Sequence, residues 1–292
     1  MGILGGQAAF EKLDVARELD WDNTHERARG EEMLETFYPA QRAAYDDIMA
    51  CVAAETPALF FIDGPGGSGK TYLYEAILHT VRGVPGRIGL ACAWSGIAST
   101  LLEGGRTCHS RFGLPVPMPR EDVTSSISAQ SSRAEVLRRA AIILWDEAPM
   151  APREALEAVN QLLQQFMGNE LPFGGKVVVL GGDFRQVLPV MPHCSREDIV
   201  QHSLKAHPLW RSGSVRVHPL RENKRAAGDA GWRDFLLRMG DGELEVFPSL
   251  GPHTVRLPDE IVAPASWTRQ DLVDHVFPDL KGHIRACVEV FF

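Results

Sequence analysis

Apolar residues along this chain follow two rhythms. Residues 58–63, 87–92, 141–145 and 176–180 are short, nearly unbroken apolar runs, ALFFID, RIGLAC, AIILW and KVVVL. Runs of this length without alternation belong to strands covered on both faces. Elsewhere the spacing lengthens to three and four. In 41–54, Ala44, Ile48, Cys51 and Val52 share one helical face, and 70–82, 96–102 and 153–167 are read as helices between the strands. Strands alternating with helices predict an α/β fold on a mainly parallel sheet. Residues 1–38 are polar, acidic and loosely periodic, a leader read as a peripheral helix or a mobile segment without catalytic role. The Pro- and Ser-rich stretch 113–132 is expected to be an exposed loop. After Asn223 the pattern changes to a short helix over 232–239 and a strand over 253–257, as in a small appended domain.

Length and composition fit this pattern. A chain of 292 residues with 45% hydrophobic content can bury a full core, in one large or two modest domains. Its longest apolar runs, at 58–62, 140–145 and 177–180, fall far short of the ~18 residues that a membrane helix needs. Neither a membrane span nor a signal peptide is expected. Five cysteines at 51, 92, 108, 194 and 287 show no CxxC pair and no His at zinc-ligand distance, which points to a reduced intracellular compartment. The net charge of -8 excludes a protein that coats nucleic acid by bulk electrostatics. Charge is unevenly spread, however. Residues 1–60 hold 5 Lys/Arg against 12 Asp/Glu, and residues 205–238 hold 8 against 3, so a locally basic surface is available.

Candidate chemistry gathers after the predicted strands. Gly64-Pro65-Gly66-Gly67-Ser68-Gly69-Lys70-Thr71 matches GxxxxGK[ST] between a strand and a helix, where glycines let backbone N–H groups wrap phosphates and the helix N-terminus adds positive potential. Lys70 then reaches the β and γ phosphates, and the Thr71 hydroxyl reaches magnesium. Asp146 and Glu147 end the third strand. One carboxylate there can hold the metal and the second can polarise water, whereas an acidic turn is the bland alternative. Gly181-Gly182-Asp183-Phe184-Arg185-Gln186 follows the fourth strand, at the carboxyl edge where open α/β sheets place ligands. Gln186 reads either as a sensor of the γ-phosphate or as a polar loop residue.

Taken together, GPGGSGKT (64–71), ILWDEAPM (143–150), FGGKVVVLGGDFRQVLPV (173–190) and LRENKR (220–225) resemble the Pif-like superfamily-one 5′-to-3′ DNA helicases, including the helicase portion of Helitron transposons. The likeness runs from about residue 39 to about residue 280. It implies a RecA-like P-loop NTPase core over 39–228, a small wedge-like subdomain over 229–265 and the start of a second lobe over 266–292. It further implies that Gln41 reads adenine, that Asp146 holds Mg2+ with Thr71, that Glu147 activates water, and that Gln186 and Arg225 contact the γ-phosphate. Lys224 stands where the family usually has Met. Residues 93–100 resemble a DNA-contacting segment that includes Ser95, with Trp94 where a small residue is usual. Residues 105–112, GRTCHSRF, resemble the next one, with His109 and Phe112. Without the resemblance, His109 reads more readily as a core or loop histidine than as a ligand contact, Trp94 and Phe112 as packed rings, and Gln41 and Arg225 as surface residues.

The implied activity is ATP hydrolysis coupled to 5′-to-3′ movement on single-stranded DNA, in repair, recombination or telomere maintenance, or derived from a transposon. ATP is the implied substrate, Mg2+ the cofactor, single-stranded DNA the partner and the nucleus the place, with the mitochondrion as an alternative. A small-molecule kinase or GTPase would have no use for the 173–190 block, and no NKxD-type guanine motif is present. Because the family's later motifs are absent before Phe292, weak DNA binding and no processive unwinding are expected of this chain alone. The competing expectation is a nucleotide-binding remnant without helicase activity.

Overall fold

In the computed structural model, residues 14–119, 122–186, 189–191, 194–224, 228–249, 251 and 254–278 are described. They form two compact units, Met1–Asp241 and Gly242–Phe292. The first is built on six parallel strands: β1 (Ala58–Asp63), β2 (Ile88–Ala93), β3 (Arg106–Thr107), β4 (Ala140–Asp146), β5 (Val177–Gly182) and β6 (Val215–Pro219), in the order β3-β2-β4-β5-β1-β6. The four apolar runs are the four inner strands. Two edge strands went unpredicted. β3 has only two residues, and β6, VRVHP, is half exposed and ends in proline, so neither has the apolar run of an inner strand.

Alternate residues of each inner strand feed two separate cores. Leu59, Phe61, Leu90, Cys92, Ile143, Trp145, Val178 and Leu180 pack on one face against helix Arg153–Met167. Phe60, Ile62, Ala91, Ile142, Leu144, Val177 and Val179 pack on the other, against helices Pro39–Ala53 and Lys70–Arg82. Burial on both faces is what removes the polar alternation from these strands. The stretch 113–132 departs from its expected exposure. Leu114, Val123 and Ile127 are buried in the first core, and Ser125 and Ser126 donate to the carbonyls of Phe112 and Gly113 at 2.6 and 3.1 Å. Its prolines and serines break regular structure, and Val116 stays exposed, but Leu114, Val123 and Ile127 still find the core.

Part of the acidic leader is ordered and docked. Helix Asn23–Glu35 starts on Asp22, whose carboxylate accepts from Thr24 N and His25 N at 3.0 and 3.1 Å. It runs against helix Lys70–Arg82 at Gly30, where a Cβ would lie 3.1 Å from Thr80 Oγ1. Before it, Trp21 stacks under the buried Arg82 guanidinium, 3.9 Å from the ring centroid. Glu18, also buried, takes a 2.5 Å bond from Arg111 Nη1 and lies 3.6 Å from Arg106. The second unit contains an antiparallel bridge, Val246–Val255, inside the region read as a strand over 253–257, of which Pro252 and His253 lie outside the described residues. It also holds helix Arg269–Val276, capped by Thr268.

Removing Glu18 leaves Arg111 charged and buried with, among the described residues, only the carbonyls of Ala91 and Gly104 as acceptors. Glu18→Ala is therefore expected to cost about 3 kcal/mol of unfolding free energy, measured by urea denaturation; a loss below about 0.5 kcal/mol would mean that the leader is not part of the folded unit.

Candidate functional site

The glycine loop joins β1 to helix Lys70–Arg82. Gly67 and Gly69 take φ of 81° and 80°, the left-handed region that only glycine enters without cost. Through this turn the loop closes on its own lysine: Lys70, buried, donates through Nζ to Gly64 O at 2.6 Å and Pro65 O at 3.4 Å. Ser68 Oγ is buried without a partner, and Thr71 stands in the first turn of the helix. Two outside segments brace the loop. From one side, Tyr38 OH donates to Ser68 O at 2.8 Å, Gln41 Nε2 to Gly69 O at 3.0 Å and Tyr38 N to Gln41 Oε1 at 3.3 Å. From the other, Leu220 N donates to Asp63 O at 2.7 Å and Lys224 N to Gly67 O at 2.8 Å. The Lys224 ammonium sits 4.8 Å from the centre of the Tyr38 ring. Arg225 lies outside the described residues, although the preceding residue is thus tied to the loop.

Beside the loop, β4 delivers the paired carboxylates. Asp146, its last residue, is 7% exposed, and its Oδ1 has no hydrogen-bond partner. Glu147 turns the chain at φ 51°, ψ 35°, left-handed for a residue with a side chain, at a cost of about 1–3 kcal/mol. Burial raises the pKa of both, for Glu147 with a further push from Asp146, and Lys70 opposes both shifts. Tyr74, one helical turn after Lys70, reaches the same place, and burial and then Asp146 hold its hydroxyl well above the ordinary phenol range.

The Gly181-Gly182 pair at the end of β5 exists to let these groups in. A Cβ on Gly181 would fall 1.6 Å from Tyr74 OH, and one on Gly182, at φ 149°, 2.5 Å from Pro149 Cδ. Beyond them Asp183, buried, accepts from Arg185 N and Nη1 at 3.0 and 2.9 Å and from Gln186 Nε2 at 3.3 Å. Arg185 continues to Asp241 at 2.7 Å. Gln186 Nε2 also lies 3.9 Å from where a Cβ on Gly66 would stand, so its amide faces the loop. The structure therefore gathers Gln41, residues 64–71, Asp146, Glu147 and Gln186 at the carboxyl ends of β1, β4 and β5.

The candidate DNA contacts divide. Ser95 caps helix Gly96–Thr100 by accepting from Ala98 N at 3.2 Å, and it lines a cavity of about 320 Å³ shared with Glu147, Met150, Asp183 and Gln186. His109 rests against the half-buried Trp94, ring centres 4.4 Å apart, and burial lowers its pKa. Phe112 requires correction. It is 0% exposed, packed 5.9 Å from Trp145 in the core, and has no face to offer a base. Phe112 faces inward because it stands four residues after the fully buried Cys108 on helix Cys108–Phe112, on the face that packs into the core.

A family model for PIF1-like helicases matches residues 36–247. The chain belongs to the PIF1-like helicase family. Among curated relatives, the ATP-dependent DNA helicase Pif1 of Psychrobacter sp. is 36% identical over 135 residues, covering 44% of this chain and 20% of that protein. The ATP-dependent DNA helicase PIF1 of Saccharomyces cerevisiae is 28% identical over 217 residues, covering 73% of this chain and 25% of that one. A solved Pif1 helicase from Bacteroides in complex with ADP-AlF3 and single-stranded DNA shares the fold, with a TM-score of 0.57, 22% identity and coverage of 69% of this chain and 46% of that one. Pif1 helicase from Candida albicans superposes with a TM-score of 0.57, 21% identity and coverage of 77% and 50%. The chain thus spans less than a third of the length of these curated relatives.

Three residues of this PIF1-like site escaped the sequence reading. Tyr74 flanks the loop from a helix that the periodicity does predict, Tyr38 from the extended position just before helix Pro39–Ala53, and Arg221, 3.4 Å from Asp63, steadies the loop's entry. The spacing of Tyr74 four residues after Lys70 was the only available signal. Asp146 gives a pH test. Because burial raises its folded pKa above the unfolded value, the folded chain holds that proton more tightly, and stability falls as pH rises from the ordinary aspartate range through the raised value. Asp146→Asn is accordingly expected to melt higher than wild type without ligand at neutral pH, with the difference shrinking below about pH 4; thermal melts across pH that show a constant or reversed difference would refute the burial assignment.

Proposed function

We propose that this chain is the first motor lobe of an ATP-dependent 5′-to-3′ DNA helicase, binding Mg-ATP at the glycine loop and single-stranded DNA at the adjoining sheet edge. The observation that carries this reading is the buried Lys70 ammonium, closed on the Gly64 carbonyl beside two carboxylates whose burial resists ionisation. Phosphate oxygens can take the place of the loop carbonyls on Lys70, while Gly66 to Gly69 offer backbone N–H groups. Gln41, already on Gly69, stands at the base of the loop where adenine would be read.

Thr71 and Asp146 would hold Mg2+, and the unpartnered, buried Asp146 Oδ1 suits a hard cation that prefers oxygen ligands. When bound, the ion neutralises charge on the β and γ phosphates. Glu147, fixed by its strained backbone and raised in pKa, accepts the proton of the attacking water. Gln186 orients that water from its anchor on Asp183, and Arg225 stabilises the γ-phosphate. Residues 229–265 serve as a wedge-like subdomain, residues 266–292 begin a second lobe, and the protein works on nuclear or mitochondrial DNA in repair, recombination or telomere maintenance.

Lys70→Ala is expected to abolish ATP binding in titration calorimetry, and Glu147→Gln to keep ATP but lose about 10²–10⁴-fold in turnover; hydrolysis by Glu147→Gln at the wild-type rate would overturn the assignment. For DNA, fluorescence anisotropy should detect weak, sequence-tolerant binding of oligothymidylate at low salt and its loss at physiological salt. His109→Ala should weaken it by about 1 kcal/mol, roughly fivefold. Tight, salt-insensitive binding to one duplex sequence would exclude this reading.

A further inference from the structure

Three neighbouring strands are each entered through a cation. Arg87 precedes β2, Arg139 precedes β4 and Lys176 precedes β5, and these strands lie side by side in the sheet. Ile88 pairs with Ala140 and Ile142 with Val177. Because paired strands run ~4.8 Å apart, the three side chains leave from one short stretch of the amino-terminal edge, opposite the nucleotide loop. There they line a cavity of about 410 Å³, with Arg138 beside them and Glu55 as the one carboxylate among its described lining residues.

Their existing partners do not neutralise them. Arg138 is spoken for, since it donates to the carbonyls of Phe166 at 3.3 Å and of Ala129 and pairs with Glu135 at 3.4 Å. Lys176 donates to the carbonyls of Ala140 at 2.9 Å and of Arg138, which are dipoles and not counter-ions. Among the described residues, neither Arg87 nor Arg139 forms an ion pair. Burial already lowers the Lys176 pKa, so its charged form gains from any anion placed beside it. Like charges on adjacent strands repel, and a protein of net charge -8 has ample acid to spare for them, yet among the described residues the cavity wall has Glu55 alone. A concave, cation-lined wall focuses positive potential, and guanidinium forks match phosphate oxygens in geometry.

We propose that this amino-edge cavity is a second anion site, separate from the glycine loop, where Arg87, Arg139 and Lys176 take a phosphate group. Two sources share that chemistry, the backbone of a nucleic acid and a small phosphate compound. The site stands apart from the ATP reading, which is tested at Lys70.

The test labels the full chain with an amine-reactive acylating reagent and follows Lys176 and Lys70 separately by peptide mass spectrometry. Inorganic pyrophosphate should slow labelling of Lys176 about threefold or more. The double variant Arg87→Ala/Arg139→Ala should lose this protection while keeping its melting temperature and the protection of Lys70 by ATP. Should the double variant melt early, Arg139→Glu, at an exposed position, gives the same reading alone. Protection by oligothymidylate as well identifies a nucleic-acid backbone as the source, and protection by pyrophosphate alone identifies a small phosphate compound. Lys176 labelling that neither probe alters, or protection that persists in the variants, overturns the proposal.

Discussion

Burying Asp146 at the end of β4 raises the energy of its charged form, and the backbone N–H of Glu147 and then the ammonium of Lys70 lower it again. A carboxylate in a dry environment without a partner takes up a proton. Asp146 and Lys70 are held within electrostatic reach because β1 and β4 both pair with β5, so the loop after one strand and the acid ending the other must emerge at the same edge. Much of the surrounding architecture follows from keeping this pair dry and aligned.

The glycines show how tightly that alignment is drawn. Gly181 and Gly182 give up the volume that Tyr74 and Pro149 occupy, and Gly69 gives up the volume occupied by the Gln41 amide. Each contact ties a different element to the loop: the helix after it, the turn after β4 and the helix before β1. The left-handed backbone of Glu147 stands at the head of the turn after β4, directly before the buried Ala148 and Pro149. Asp183 draws Gln186 and Arg185 inward, and Arg185 carries the network on to Asp241.

Charge also divides labour across the sheet. At the carboxyl edge, Asp146 and Glu147 stand beside the glycine loop and its lysine; at the amino edge, Arg87, Arg139 and Lys176 line a cavity. The leader joins these regions to the helical layer through buried charge, with Glu18 on Arg111 and Trp21 on Arg82. A buried ion pair such as Glu18–Arg111 is costly to desolvate, and it holds because each charge supplies the other's partner away from water.

The sequence by itself determined the α/β class, the four inner strands, the helices between them, the loop 64–71 and the carboxylates 146 and 147. The reason is local: apolar runs, helical periods and a glycine spacing that only one chemistry uses are written in consecutive residues. Tertiary structure decided what depends on residues far apart in the chain. It placed Phe112 in the core when its neighbours read as a binding segment, drew Val123 and Ile127 out of an apparent loop, and added β3 and β6 at edges too short or too exposed to leave a pattern. It also set Tyr38 and Tyr74 on the loop, fastened the acidic leader through Glu18, and aligned three strand-entry cations along one edge. Burial and charge pairing are properties of a three-dimensional neighbourhood, and for these residues the neighbours come from sequence positions that no local pattern connects.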